Sequence, residues 1–152
     1  MLNVLELNSY LEECKTEIAA FGNFKLLADD DEFSKFSTQL SKVKDKVVLI
    51  GVLPNINGGG PDEDTAKANN RLMFFCVQKA DTRQAYADYI QDYQTTQTAI
   101  HELFKKFLRD HLNFDKRCMA NNFSFNSWTI EPIRNYHQTN GWVLEIDVNT
   151  NM

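Results

Sequence analysis

The run from Trp142 to Asn149, WVLEIDVN, constrains the fold more than any other stretch: Trp142, Leu144, Ile146 and Val148 alternate with Val143, Glu145, Asp147 and Asn149. A period of two puts the first set on one face of a β-strand and the second on the other, a pattern that no helix can bury. The chain must therefore build a sheet, with Trp142 expected in its core. Two more runs have strand character. KVVLIGVLP, stopped by Pro54, and RLMFFCVQKA are read as well-buried antiparallel strands, because β-branched and aromatic side chains suit a covered, pleated surface. Upstream of the last strand, Phe123 and Phe125 are out of phase with Trp128 and Ile130, which predicts a bulge or a later start. Asn140-Gly141 tolerates positive φ and is read as the tight turn of a C-terminal hairpin, with Gly141 serving the turn and Trp142 serving burial.

Helical spacing appears elsewhere. Leu7, Tyr10, Leu11, Cys14, Ile18 and Phe21 fall at steps of three and four, the stripe of an N-terminal amphipathic helix ended by Gly22 and Asn23. A second, short helix follows ADDDEF: Asp29 to Asp31 supply the cap, Phe33, Phe36, Leu40 and Val43 the stripe, and Lys42, Lys44 and Lys46 the far end. The longest helix is expected from Thr82 to Leu112, with Tyr86, Ile90, Tyr93, Ile100, Phe104, Phe107 and Leu108 on one side and a polar centre, QTTQT, where a bend or break is expected. These elements predict one α+β domain over residues 1–152: an antiparallel sheet of about four strands packed against a long helix, with N-terminal helices.

With 152 residues, 43% of them hydrophobic, and eleven Phe, five Tyr and two Trp, the chain can bury a real core. Net charge is −5, and the densest basic cluster, Lys105, Lys106, Arg109, Lys116 and Arg117, is interrupted by Asp110 and Asp115. That pattern reads as a helix end whose cations complement the dipole rather than as a phosphate-binding surface, so no sequence-specific nucleic-acid binding is expected. Cys14, Cys76 and Cys118 are odd in number and form no CxxC pair, which fits a reducing, intracellular site of synthesis. The start, MLNVLELNSYLEEC, lacks a cationic leader, and no apolar run nears membrane-spanning length, so a soluble protein with no membrane partner is expected.

The segment NINGGGPDEDTAKANN invites a reading as a phosphate cradle, but no Gly-Lys-Ser/Thr follows its glycines and the next element is a strand. As a calcium loop starting at Asp62 it would place Lys67 and Met73 where a glycine and a bidentate Glu are required. HELFK at His101 misses the zinc-protease helix because Lys105 stands where the second His must be. His111 and His137 are read as ordinary polar residues, Cys118 as a structural thiol, and Trp128, Tyr136 and Trp142 as core aromatics rather than stacking platforms. No catalytic, cofactor-binding or metal-ligating residue is assigned, and the chain is read as a non-enzyme.

The order of elements, helix, two strands joined by a long loop, long helix and a C-terminal hairpin ending TNGWVLEIDVNT, resembles the tail terminator or tail completion proteins of tailed bacteriophages. The resemblance covers most of the chain and is carried by element order, size and the NGWVLEIDV strand. It implies an antiparallel sheet against helices, and subunits that form a homo-oligomeric ring, commonly of six, at the head-proximal end of the tail. The implied partners are tail-tube and neck or connector proteins of the virion, with DNA passing through the ring and no catalytic residues. The helix DEFSKFSTQLSKV and the polar centre of the long helix also suit another neck or head-completion adaptor. A different class, a cytosolic enzyme or small-molecule-binding domain, would need a polar pocket between the long helix and the sheet. On the ring reading, Asn57, Gly58, Gly59, Gly60, Pro61, Asp62, Glu63 and Asp64 form an assembly loop that orders on meeting a neighbour; the alternative is a plain solvent connection.

Overall fold

The computed structural model describes residues 3–41, 46–60, 62, 67–112 and 123–151. Three helices and five strands follow one another as α1 (Val4–Glu17), β1 (Phe21–Leu27), α2 (Asp30–Thr38), β2 (Val47–Gly59), β3 (Lys67–Lys79), α3 (Tyr86–Leu112), β4 (Phe123–Tyr136) and β5 (Thr139–Asn151). One sheet takes them in the order β1-β2-β3-β5-β4, with β1 parallel to β2 and every other pair antiparallel. A sheet packed against a long helix is present as expected, but it has five strands rather than about four and is antiparallel except where β1 pairs in parallel with β2.

The added strand is β1, and the reason for missing it is physical. The helical stripe runs on through Ile18 and Phe21, yet the chain leaves the helix at Ile18, whose backbone is already extended (φ −99°, ψ 108°). Ile18 and Phe21 are still buried in the same core, entering it from a turn and a strand instead of from a helix face. Gly22 sits in a register shift, since Phe21 faces Val47 while Asn23 faces Val48, and this hides any alternation. The parallel pairing of β1 with β2 then requires a crossover, which α2 supplies. Asp29 caps α2 by accepting from the Glu32 amide at 2.9 Å, and the Glu32 carboxylate accepts from the Ala28 amide at 2.8 Å. This helix stops at Thr38, before Leu40; Val43 and the Lys42 to Lys44 stretch lie outside the described residues.

Two apolar clusters sandwich the sheet. On one face, Leu7, Leu11 and Cys14 of α1 and Ile100, Leu103 and Phe107 of α3 meet Leu72, Phe74, Cys76, Leu144 and Ile146. On the other, Phe33 of α2 meets Leu27, Ile50, Phe75, Val77 and Val143. Strand β3 is therefore covered on both sides, as its unbroken apolar run requires. Val143 is also buried, so β5 hides part of both faces here, whereas Trp142 is only half-buried and donates its indole N–H to the Tyr93 carbonyl at 3.0 Å. The long helix does not break at QTTQT: Thr96 and Thr98 turn their hydroxyls back onto the carbonyls of Asp92 and Gln94, at 2.8 and 3.0 Å, and the helix continues.

Two turn assignments change. Pro54 does not end β2; a register shift between Val52 and Asn55 absorbs it at the edge of the sheet, and pairing resumes as far as Gly59. The C-terminal hairpin turns at His137-Gln138, both with positive φ (45° and 64°), not at Asn140-Gly141. The expected irregularity before Trp128 is present, between Phe123, facing Val148, and Trp128, facing Ile146. Gly141 lies within β5 for a different reason: a Cβ there would stand 2.1 Å from the Cys76 carbonyl oxygen of β3, with φ at +156°. Gly141→Ala is expected to lower stability by at least about 1–3 kcal/mol, the cost of a disfavoured backbone conformation to which the collision adds. Chemical denaturation measures this, and an unchanged midpoint would show that the strands can separate there freely.

Candidate functional site: an arm and a cleft at opposite ends of the sheet

Strand β1 stops pairing with β2 at Val52, but β2 and β3 continue together from Asn55 opposite Arg71 to Gly59 opposite Lys67. Strand β5 backs this extension, from Asp147 opposite Arg71 to Asn151 opposite Lys67. Beyond Val52 no described strand lies on the outer side of β2, so one row of its backbone groups faces outward. The β3 side of the extension is firmly held: Ala68, opposite Gly58, and Asn70, opposite Ile56, are fully buried, and the Asn70 amide donates to the Val148 carbonyl at 3.2 Å. The β2 side is exposed, with Asn55, Ile56, Asn57, Gly58, Gly59 and Gly60 all at the surface.

The first part of the expected loop is strand. Asn57, Gly58 and Gly59 belong to β2, Gly60 follows directly, and Asp62 is exposed at a bend. Pro61, Glu63 and Asp64 lie outside the described residues. A pattern of Asn and Gly carries no strand propensity, so this part of β2 is held by its partner β3 and not by its own composition.

At the other end of β3 a cleft of about 480 Å3 opens between the first turns of α3 and the β4–β5 hairpin, lined by Asp81, Tyr86, Tyr89, Arg134, Asn135 and Asn140 among others. The Asp81 carboxylate is engaged by the Arg83 backbone N–H at 3.0 Å. Arg134 makes no ion pair among the described residues. Tyr86, Tyr89, Tyr93 and Trp142 form a chain of ring contacts, with centroids 6.3, 5.1 and 6.3 Å apart. Tyr93 anchors this chain by donating its hydroxyl to the Ile133 carbonyl at 2.7 Å, and burial, with the neighbouring Tyr89, pushes its pKa up. The helical stripe placed Tyr86 and Ile90 with the buried residues. Both are instead exposed, at 78% and 46%, because the buried part of α3 begins only at Thr96.

The basic cluster at the far end of α3 also resolves. Lys106 is 1% exposed and bridges to Asp110 at 2.8 Å, Glu17 at 3.1 Å and Glu13 at 3.4 Å, while Tyr10 donates its hydroxyl to Asp110 at 2.7 Å. Lys105 pairs with Glu102 at 3.0 Å and Arg109 with Glu17 at 3.3 Å. Lys106 and Arg109 staple α3 to α1 through Glu13 and Glu17, and Lys105 is paired within α3. Lys116 and Arg117 lie outside the described residues. Burial alone would push the Lys106 pKa down, but the hydrogen bonds to Asp110 and Glu17 outweigh it and hold the ammonium charged. One sequence signal pointed here: Lys106 and Asp110 stand three and seven residues after Leu103, in phase with the apolar stripe, where charge is costly unless paired.

Removing one partner should leave the other charge buried. Lys106→Met is expected to destabilise by about 3–5 kcal/mol, and the double change Lys106→Met/Asp110→Leu by clearly less. Equal losses in denaturation midpoints would show that no buried pair exists. The alkaline limb of stability follows from the same groups. Burial pushes Tyr10 and Cys14 up, and burial with a hydrogen bond to Asp30 pushes Tyr136 up to about 12. Each holds its proton more tightly folded than unfolded, so its contribution is complete below the ordinary pKa and fades as pH rises through the folded one. Tm should therefore be level near neutrality and fall from about pH 9 upward, where free thiols and then tyrosines begin to ionise.

No grouping of His, Cys, Asp and Glu suited to a metal ion occurs among the described residues. Cys14 and Cys76 are buried, with burial raising both thiols, as befits structural residues; Cys118 lies outside the described residues. His101 is exposed, and His137 occupies the hairpin turn 3.6 Å from Asp30. No helix among the described residues is long and apolar enough to cross a membrane. No family model matches the chain, and no curated protein matches it in sequence.

Proposed function

We propose that this chain is a structural subunit of a phage virion that associates into a ring at the head-proximal end of the tail, as a tail terminator or completion protein. The observation that carries this reading is the arm: β2 and β3 extend together past β1 from a doubly covered sheet, and the β2 side of that extension is exposed Asn and Gly. An isolated subunit gains little by holding such an extension out in water. A subunit that must grip a neighbour gains a preorganised contact whose ordering cost is already met. The net charge of −5 suits a channel in which DNA slides without sticking. A second reading, a domain that binds a small ligand, is favoured by the Tyr86/Tyr89/Arg134 cleft, which combines ring faces with polar groups.

Arm and core can be separated experimentally. Replacing residues 60–66 by Asn-Gly should close β2 onto β3 with a two-residue turn and leave stability within about 1 kcal/mol, since loop closure depends weakly on length. On the ring reading the parent protein forms closed rings, alone or on the ends of phage tail tubes, and the shortened protein does neither. Native mass spectrometry and negative-stain images distinguish these outcomes. A parent that stays monomeric and never binds tubes refutes the ring; a shortened protein that assembles normally removes the arm tip from the function.

A further inference from the structure

The cleft between the first turns of α3 and the β4–β5 hairpin contains a buried donor that the fold leaves unused. Asn140 lines the cleft and is only 6% exposed. Its Oδ1 accepts from the Asn135 backbone N–H at 2.6 Å. A backbone N–H can only donate, so the atom facing it must be the oxygen, and the amide nitrogen is turned the other way. That nitrogen makes no hydrogen bond among the described residues. The side chain is not free to turn in search of one, because β4 loses register with β5 between Ile133 and Tyr136, Asn135 stands at φ 49°, and the bond to Asn140 ties the strand back across that gap.

The groups around it ask for an acceptor of negative charge. Arg134, exposed and without an ion pair among the described residues, brings a guanidinium whose fork fits a carboxylate. The start of α3, where Tyr86 stands, adds the positive end of the helix dipole. Beside these donors lie the rings of Tyr86 and Tyr89, carried on a helix face that the Tyr93 hydroxyl anchors to the Ile133 carbonyl. We propose, resting on the reading of the cleft as a ligand site and independently of the ring, that it binds a small aromatic carboxylate. The carboxylate meets Arg134 and the Asn140 amide, and the flat body lies on Tyr86 and Tyr89. A cleft of about 480 Å3 suits a compound of this size. Asp81 sets the limit on charge: it is the one acid in the lining among the described residues, and it repels a ligand with several negative charges.

Matched probes provide the test, with affinity read by titration calorimetry and location by the NMR signal of the Asn140 side-chain amide. Indolepropionate carries both features, tryptamine has an amine in place of the carboxylate, and butyrate lacks the ring. Indolepropionate should bind about ten-fold or more tighter than either, since it alone makes both the charge-assisted bonds and the ring contact. Arg134→Gln and Tyr86→Ala change exposed side chains and should fold as the parent does, and each should weaken indolepropionate binding by about ten-fold. Asn140→Asp keeps the acceptor for the Asn135 N–H and turns the unused donor into an oxygen, so it should abolish carboxylate binding; if that variant melts early, Arg134→Gln decides alone. If indolepropionate binds no tighter than tryptamine, or Arg134→Gln leaves its affinity unchanged, the aromatic carboxylate falls, while a shift of the Asn140 signal with any probe keeps the cleft as a ligand site. If no probe moves that signal at millimolar concentration, this proposal and the ligand reading fall together.

Discussion

Everything distinctive in this fold depends on the pairing of β3 with β5, which runs without a register shift from Lys67 opposite Asn151 to Lys79 opposite Thr139. The ladder is the central beam of the sheet. Its middle is covered on both sides, by Leu72, Phe74 and Cys76 toward α1 and α3 and by Phe75 and Val77 toward α2. Each large side chain buried this way contributes about 1.5–3 kcal/mol. At one end the ladder runs on past the last pair of β1 with β2 and carries the arm, and at the other it ends beside the cleft. Gly141 belongs to this beam: only a residue without a side chain lets the β5 backbone approach the Cys76 carbonyl so closely.

The polar staple between α1 and α3 solves a different problem. A helix laid across a sheet by apolar contacts alone can slide, because such contacts are non-directional. The convergence of Lys106, Asp110, Tyr10, Glu13 and Glu17 is directional, and it fixes the level of α1 along α3. That it sits at the C-terminal half of α3 leaves the N-terminal half to carry exposed tyrosines.

How much of this was legible in the sequence depended on whether one force or two set the conformation. Strand β5 was legible because alternation is imposed by burial on one face, and Leu144, Ile146 and Val148 are all fully buried. The cores of α1 and α3 followed from their stripes for the same reason. Strand β1 was not, because Ile18 and Phe21 keep helical spacing while the chain has already left the helix, and because a neighbour across the sheet, not local preference, makes FGNFKLL extended. The continuation of β2 past Pro54 is likewise decided by β3. Proline punctuates a strand only where its missing N–H would be needed, and at a bulge on the sheet edge it is not. Tyr86 shows the converse: a residue in phase with a buried stripe is buried only if something lies opposite it, and here the sheet does not cover the first turns of α3.

The candidate site was half legible on these grounds. Glycine and acids correctly marked Asn57 to Gly60 and Asp62 as exposed, yet among the described residues Asn57 to Gly59 are exposed as a strand paired on one side only. A one-sided strand is a stronger constraint than a loop, because its free edge offers backbone donors and acceptors at fixed spacing, and anything that pairs with it must adopt that spacing. Its composition then acts as a filter. Pro54 removes a donor near the root, and the glycines offer no side-chain packing, so extended sheet growth along this edge is disfavoured. An edge built in this way is poor at indiscriminate aggregation and suited to a partner that supplies side-chain contacts around the backbone.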